Sequence, residues 1–230
     1  AISQDMVHWP RLPIALFPDK LGYIFSGSAV IDWNNTTGFG TKEKPAMVAI
    51  YTYHDMAGEK SGKIKYQTQA IAYSLDKGRT WVKYEKNPVL ENPGIKDFRD
   101  PKVFWHQESN KWIMSLAVHD QINFYSSKNL KEWVLESEFG KNIGSHGGIW
   151  ECPDLFPIKD SYGNTKWVLL VSLNPNGPQG GSATQYFIGD FNGSVFTSDD
   201  TKIRWLDYGA DNYAGVTFSD IPKDDGRRIL

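Results

Sequence analysis

The chain has 230 residues, room for one large domain or two small ones. Its formal net charge is −2 and it has no basic block, which argues against nucleic acid and anionic membranes as partners. Aromatic residues, glycines and prolines are frequent, and the apolar runs are strand-sized, such as Trp167-Val168-Leu169-Leu170-Val171, so many short strands are expected and no membrane insertion.

The pattern along the chain is one of short apolar or alternating segments between turn clusters, with little sign of a long amphipathic helix. Ser3-Gln4-Asp5-Met6-Val7-His8-Trp9 opens the chain with a turn followed by a Trp, read as the last strand of a first unit. Strands are then expected over Tyr23–Asp32 and Ala46–His54, residues 68–74 and residues 81–84. The pattern restarts with 102–106, Lys111–Val118, 122–126 and 133–135. It restarts again with 155–158, 167–173, 185–190 and a short strand around Val195-Phe196. Residues 213–218 read as the opening of a further unit.

The turn before each fourth strand also repeats. Ser74-Leu75-Asp76-Lys77-Gly78-Arg79-Thr80-Trp81 is the fullest copy, and Ser127-Lys128-Asn129-Leu130-Lys131-Glu132-Trp133 and Ser3 to Trp9 are variants. An Asp or Asn there can bond nearby backbone N–H groups and tighten the turn, so a structural role is assigned. Four-stranded units at this spacing predict an all-β fold, a β-propeller with about three full blades and parts of two others. In such a fold the first strand of each blade lines the central channel.

Two stretches at first strands carry acids. In Gly147-Gly148-Ile149-Trp150-Glu151-Cys152-Pro153-Asp154, the glycines could let the backbone approach a ligand, and the indole beside Glu151 could raise a carboxyl pKa into the range of a general acid. In Asp97-Phe98-Arg99-Asp100-Pro101-Lys102-Val103-Phe104, Asp100-Pro101 can be laid on Cys152-Pro153. The two acidic motifs would then meet in one pocket. Taken singly, Glu151 could equally face water and the Arg99-Asp100 step could be a surface ion pair. Phe25-Ser26-Gly27-Ser28 offers an aromatic face and hydroxyls at another first strand, which suits a sugar, or is an ordinary strand entry.

Other candidates read as structural. Residues 207–213 are taken as an acidic loop, with a pocket rim as the alternative. His146 is assigned to loop support. Cys152, beside a proline and without an assigned base, reads as a small buried residue rather than a nucleophile. The histidines lack metal-ligand spacing, so no metal site is expected.

Phe25-Ser26-Gly27-Ser28-Ala29-Val30, Phe98-Arg99-Asp100-Pro101 and Trp150-Glu151-Cys152-Pro153-Asp154 resemble, in order, the signatures of glycoside hydrolase family 32. Residues 67–74 and 180–187 look most like its microbial exo-inulinase and levanase branch. The resemblance implies a five-bladed propeller, here incomplete across residues 1–230, with a C-terminal β-sandwich that this chain would lack. It implies retaining hydrolysis of β-fructans or sucrose without cofactor, Glu151 as acid/base, Asp100 as transition-state stabiliser, and Arg99, Phe25 and Ser26 as substrate contacts. The family's nucleophile motif, of the Trp-Met-Asn-Asp-Pro-Asn-Gly type, does not occur here and is expected upstream of Ala1. Asp5, in an outer turn, and Asp32, at the far end of its strand, do not replace it. No signal peptide is visible, and a secreted or periplasmic location is expected from the polymeric substrate.

A non-catalytic carbohydrate-binding propeller is the alternative, since it would keep the sugar contacts without a nucleophile. A protein-interaction propeller would not need acids at inner strands, and a sialidase would need a cluster of three arginines that is not evident.

Overall fold

The computed structural model describes residues 1–222 and 224–230. Among the described residues, twelve strands form three antiparallel four-stranded sheets, each in simple up-and-down order. The first contains β1 (Tyr23–Asp32), β2 (Ala46–His54), β3 (Gln67–Ser74) and β4 (Val82–Lys83), with a short helix α1 (Met56–Lys60) between β2 and β3. The second contains β5 (Phe98–His106), β6 (Lys111–Val118), β7 (Gln121–Ser127) and β8 (Val134–Phe139). The third contains β9 (Ile149–Lys159), β10 (Thr165–Asn174), β11 (Ala183–Phe191) and β12 (Phe196–Ser198).

The sheets stack face to face, and the period-two alternation of their middle strands fills both interfaces. On β6, Trp112, Met114, Leu116 and Val118 pack with Val48, Ile50 and Ile71 of the first sheet. The intervening Ile113 and Ala117 pack with Leu155, Leu169 and Val171 of the third. The central sheet is therefore buried on both faces, which explains why β6 from Trp112 to Val118 is apolar at every position but Ser115. β5 contacts both β1 and β9, so the three first strands lie side by side at the inner edge.

The three turn copies share one geometry. The Asp5, Asp76 or Asn129 side chain accepts two backbone N–H groups further along its turn. The next residue, Met6, Lys77 or Leu130, has φ near +60°. Each Trp indole donates to the carbonyl three residues earlier, at 3.0–3.2 Å. Asp32 likewise closes a turn, accepting from Thr36 and Thr37.

Three expectations change. Residues 1–18 form no strand, and neither do residues 213–218; each stretch has a single backbone bond (Ile2 to Pro10, Phe218 to Ile229) where a strand needs a ladder. β5 and β9 begin at Phe98 and Ile149, not at residues 102 and 155. The acids thus lie inside the inner strands rather than before them.

The reason is a β-bulge repeated in all three first strands. Phe25-Ser26 oppose the single residue Thr52 between the pairs Ile24–Tyr53 and Gly27–Tyr51. Asp100-Pro101 oppose Leu116, and Cys152-Pro153 oppose Val171. Asp100 and Cys152 adopt left-handed φ values of 61° and 47°. Polar or proline-containing bulges read as turns in the sequence, although the ladder continues on both sides. Gly27 follows the first bulge because a Cβ there would lie 2.0 Å from the Ile50 carbonyl oxygen.

Ser28 joins the first two inner strands. Its hydroxyl donates to the Pro101 carbonyl and accepts the Val103 N–H, both at 3.0 Å. Ser28→Ala leaves both backbone groups unpaired and should cost about 1–3 kcal/mol in equilibrium unfolding. A variant as stable as the parent would show that this bridge does not hold the strands together.

Candidate active site

The three bulges aim their side chains at one region. Arg99, directly before the β5 bulge, reaches across to Glu151, directly before the β9 bulge. Its Nε and Nη2 donate to Glu151 Oε1 at 3.2 and 3.0 Å. Its Nη1 donates to Asp97 Oδ1 at 2.6 Å. One guanidinium is therefore clamped between two carboxylates 54 residues apart in sequence, Asp97 and Glu151, all three largely shielded from solvent. Burial works against the Arg99 charge, but Asp97 and Glu151 outweigh it and hold its pKa above the ordinary value.

Asp100 follows on the bulge itself and is buried. Its Oδ2 accepts the Cys152 N–H at 3.1 Å, with the thiol at 3.7 Å. Burial pushes the Asp100 carboxyl above its ordinary pKa; the nearby Glu151 charge adds to this, while Cys152 and Arg99 oppose it. The Cys152 thiol is also pushed up, first by burial and then by the Asp100 and Glu151 carboxylates. It is a protonated donor to Asp100 rather than a thiolate nucleophile.

The backbone of the β5 bulge is held from behind by buried polar side chains of β2 and β3. Thr52 Oγ1 accepts the Asp100 N–H at 3.1 Å and donates to Gln69 Oε1 at 2.8 Å. Gln69 Nε2 donates to the Phe98 carbonyl, and Gln67 Oε1 accepts the Phe98 N–H, both at 2.8 Å. The apolar stripe of these strands thus ends in a polar set directed at the motif.

Two contributors were not assigned from sequence. Asp97 belongs to a quoted motif, yet its pairing with Arg99 depends on the bulge. Tyr213 donates its hydroxyl to Glu151 Oε2. Residues 207–213 therefore border the site instead of forming a remote acidic loop. Ser172, opposite Glu151 on β10, accepts the Ala214 N–H at 3.0 Å and fixes this approach. Burial, and then the Glu151 acceptor, raise the Tyr213 pKa, so it remains a phenol donor. Further along, the Thr217 N–H and hydroxyl bond buried Asp154, which Lys102 approaches at 3.2 Å.

Trp150 does not face Glu151. Successive strand residues point to opposite faces, and Trp150 is fully buried among Phe139, Leu155 and Phe187. Its indole donates to Ser145, and His146 stacks on it while bonding Asp120 at 3.0 Å, so His146 supports the core side of the loop. The environment of Glu151 is Arg99 and Tyr213 rather than the indole. Nor do Gly147 and Gly148 open the backbone to a ligand: a Cβ at Gly148 would lie 2.5 Å from the Pro175 carbonyl oxygen. Their room is used by the end of β10 and the residues after it.

On β1, Phe25 and Ser26 are exposed at the first bulge, and Phe25 stacks on His54 at 4.1 Å. The Ser28 bridge to Pro101 makes this bulge the neighbour of Asp100. The gathered residues offer an aromatic face, a hydroxyl, an arginine and three carboxyls. One cation against three carboxyls gives an environment suited to positive charge developing on a bound molecule. No group of three or more potential metal ligands occurs among the described residues.

Such a propeller-like stack of sheets, with acids and an arginine gathered at inner-strand bulges, defines an all-β domain of repeated four-stranded units. Residues 1–230 match the model for the glycosyl hydrolases family 32 N-terminal domain, and the chain belongs to that family. It is 56% identical over 234 residues to the levanase of Bacillus subtilis (strain 168), covering 100% of this chain and 33% of that protein. The extracellular exo-inulinase of Aspergillus awamori is 44% identical over 254 residues, covering 98% of this chain and 47% of that protein. The structure of a fructofuranosidase from Schwanniomyces occidentalis complexed with fructose matches with a TM-score of 0.85 at 44% identity, over 95% of this chain and 42% of that one. The chain thus spans a third to a half of the length of these relatives.

Because the Asp100 pKa is raised on folding, its contribution to stability is present only below the unfolded value, about 4, and is lost as pH rises through the folded value. Asp100→Asn should therefore raise Tm at about pH 7, by roughly 2–4 °C for each kcal/mol relieved. The gain should vanish as pH falls below about 4. Thermal unfolding across this range checks it; a variant less stable than the parent at about pH 7 contradicts the assignment.

Proposed function

We propose that the protein to which this chain belongs is a retaining β-fructosidase that releases fructose from the ends of inulin or levan, and from sucrose. The observation that carries the reading is the direct bonding of the two acidic motifs, Arg99 to Glu151 and Asp100 to Cys152, beside the exposed Phe25. Family membership and the levanase and exo-inulinase relatives support the substrate class.

In this reading Glu151 protonates the leaving oxygen and later deprotonates the attacking water. Asp100 and Arg99 hold ring hydroxyls while positive charge develops on the sugar, and the surplus of carboxyls stabilises that charge. Phe25 and Ser26 contact the fructosyl unit. The nucleophilic carboxylate comes from outside these 230 residues, in a longer protein with a five-bladed propeller and a β-sandwich. No metal or organic cofactor takes part. The protein acts outside the cytoplasm, as fits a polymeric substrate and the extracellular exo-inulinases among its relatives; no described helix is long and apolar enough to cross a membrane.

The test is fructose release from inulin, levan and sucrose by the full-length protein and its Glu151→Gln variant. The variant should lose roughly a hundredfold to ten-thousandfold in turnover while still binding sugar. An unchanged rate would remove Glu151 from the acid/base role. A folded parent that binds fructan but releases nothing would be a carbohydrate-binding propeller.

A further inference from the structure

His54 ends β2 as a buried residue that the proposed chemistry does not use. Its ring lies flat beneath Phe25, with centroids 4.1 Å apart and planes within 8°. Phe25 is itself 39% exposed, so one face of the phenyl rests on the imidazole while the side chain stays accessible. Tyr66 meets the imidazole edge-on, at 5.2 Å and 71°.

Both ring nitrogens are committed, and their partners define the tautomer. Gln67 Oε1 accepts the Phe98 N–H, so the Gln67 Nε2 is the group that faces His54 Nδ1, at 3.1 Å. An amide nitrogen can only donate, so Nδ1 carries the lone pair. The proton is then on Nε2, donated to Glu59 of α1 at 3.0 Å. The imidazole is neutral and fixed in position, height and rotation. The same Gln67 side chain holds the backbone one residue before Arg99. The height of the Phe25 ring is thereby referenced to the strand that carries Arg99 and Asp100. This chain of bonds ends on a backbone N–H, not on Glu151, so it positions groups rather than relaying protons to the acid.

We infer that His54 is a positioning residue for sugar binding: its neutral imidazole is the lower layer of a two-ring platform whose upper layer, Phe25, meets the apolar face of a fructosyl unit. This rests on the fructosidase reading above. The stack holds Phe25 in one pose before a sugar arrives, so its loss weakens binding through lost preorganisation.

The experiment uses the full-length protein with sucrose and inulin as substrates, and fructose binding by calorimetry as a readout independent of turnover. His54→Leu, which keeps the volume and loses the stack, should raise KM and weaken fructose binding by roughly threefold to tenfold, with kcat within about twofold. His54→Phe keeps the stack and loses both hydrogen bonds. It should lower Tm and raise KM by a clearly smaller factor than His54→Leu does. Glu59→Ala, at a half-exposed position, releases the Nε2 anchor and should raise KM in the same direction by a smaller factor. An active parent whose His54→Leu and Glu59→Ala variants keep the parental KM overturns the inference. So does a KM that tracks Tm equally in the Leu and Phe variants, since that is a structural role alone. A parent that releases no fructose overturns the fructosidase reading instead, and the calorimetric ratio then decides the platform on its own. A parent that neither hydrolyses nor binds fructose overturns both.

Discussion

The structure depends on satisfying the backbone at three aligned bulges. A bulge breaks the ladder and leaves peptide groups without partners, which is costly at a buried edge. Here the bulges of β5 and β9 are served from the neighbouring inner strand or from β2. Thr52 takes the Asp100 N–H, the Asp100 carboxylate takes the Cys152 N–H, and Ser28 takes the Pro101 carbonyl and the Val103 N–H. Pro101 and Pro153 occupy the second bulge position, where a residue without an N–H removes one donor from the problem. Asp100 therefore has two duties. It places a carboxyl beside Arg99 and Glu151, and it closes the backbone of the next inner strand.

Much of this was legible in the sequence, and the misses share a cause. The strand runs, the three repeated units and the pairing of Asp100-Pro101 with Cys152-Pro153 follow from period-two patterning and from the recurrence of acid or thiol before proline. The strand starts at Phe98 and Ile149 were hidden because polar and proline residues mark breaks in a pattern, while a bulge is a break that the sheet bridges. The roles of Trp150, Gly147 and Gly148 were misread for a related reason. Adjacency in sequence suggested an indole beside Glu151, but strand alternation sends Trp150 into the core and leaves Glu151 to Arg99. Tyr213 had no local signal. Its place depends on Ser172 and on Thr217 bonding Asp154, contacts that join positions 42 and 63 residues apart.

The electrostatics of the pocket conflict with folding. Burying Asp100 beside Glu151 raises its pKa, so its charged form opposes the native state at neutral pH. The conflict is contained by one arginine shared between Asp97 and Glu151, and by the Cys152 donors on Asp100. Groups chosen for stability alone would have been apolar. Several carboxyls around a single cation fit the proposed reaction, in which positive charge develops on the sugar.

The repeat also explains why the two acids are not equivalent. Ile24, Arg99 and Glu151 each stand directly before a bulge, and Phe25, Asp100 and Cys152 each occupy its first position. Corresponding positions on adjacent inner strands meet: Arg99 bonds Glu151, and Asp100 bonds Cys152. Glu151 therefore faces an arginine and Asp100 a thiol and an N–H. Two carboxyls one register apart acquire different environments from a single backbone device. Had both acids occupied the same register, they would face each other as like charges without the arginine between them. The offset of one residue converts a backbone repeat into a site whose two acids have different partners.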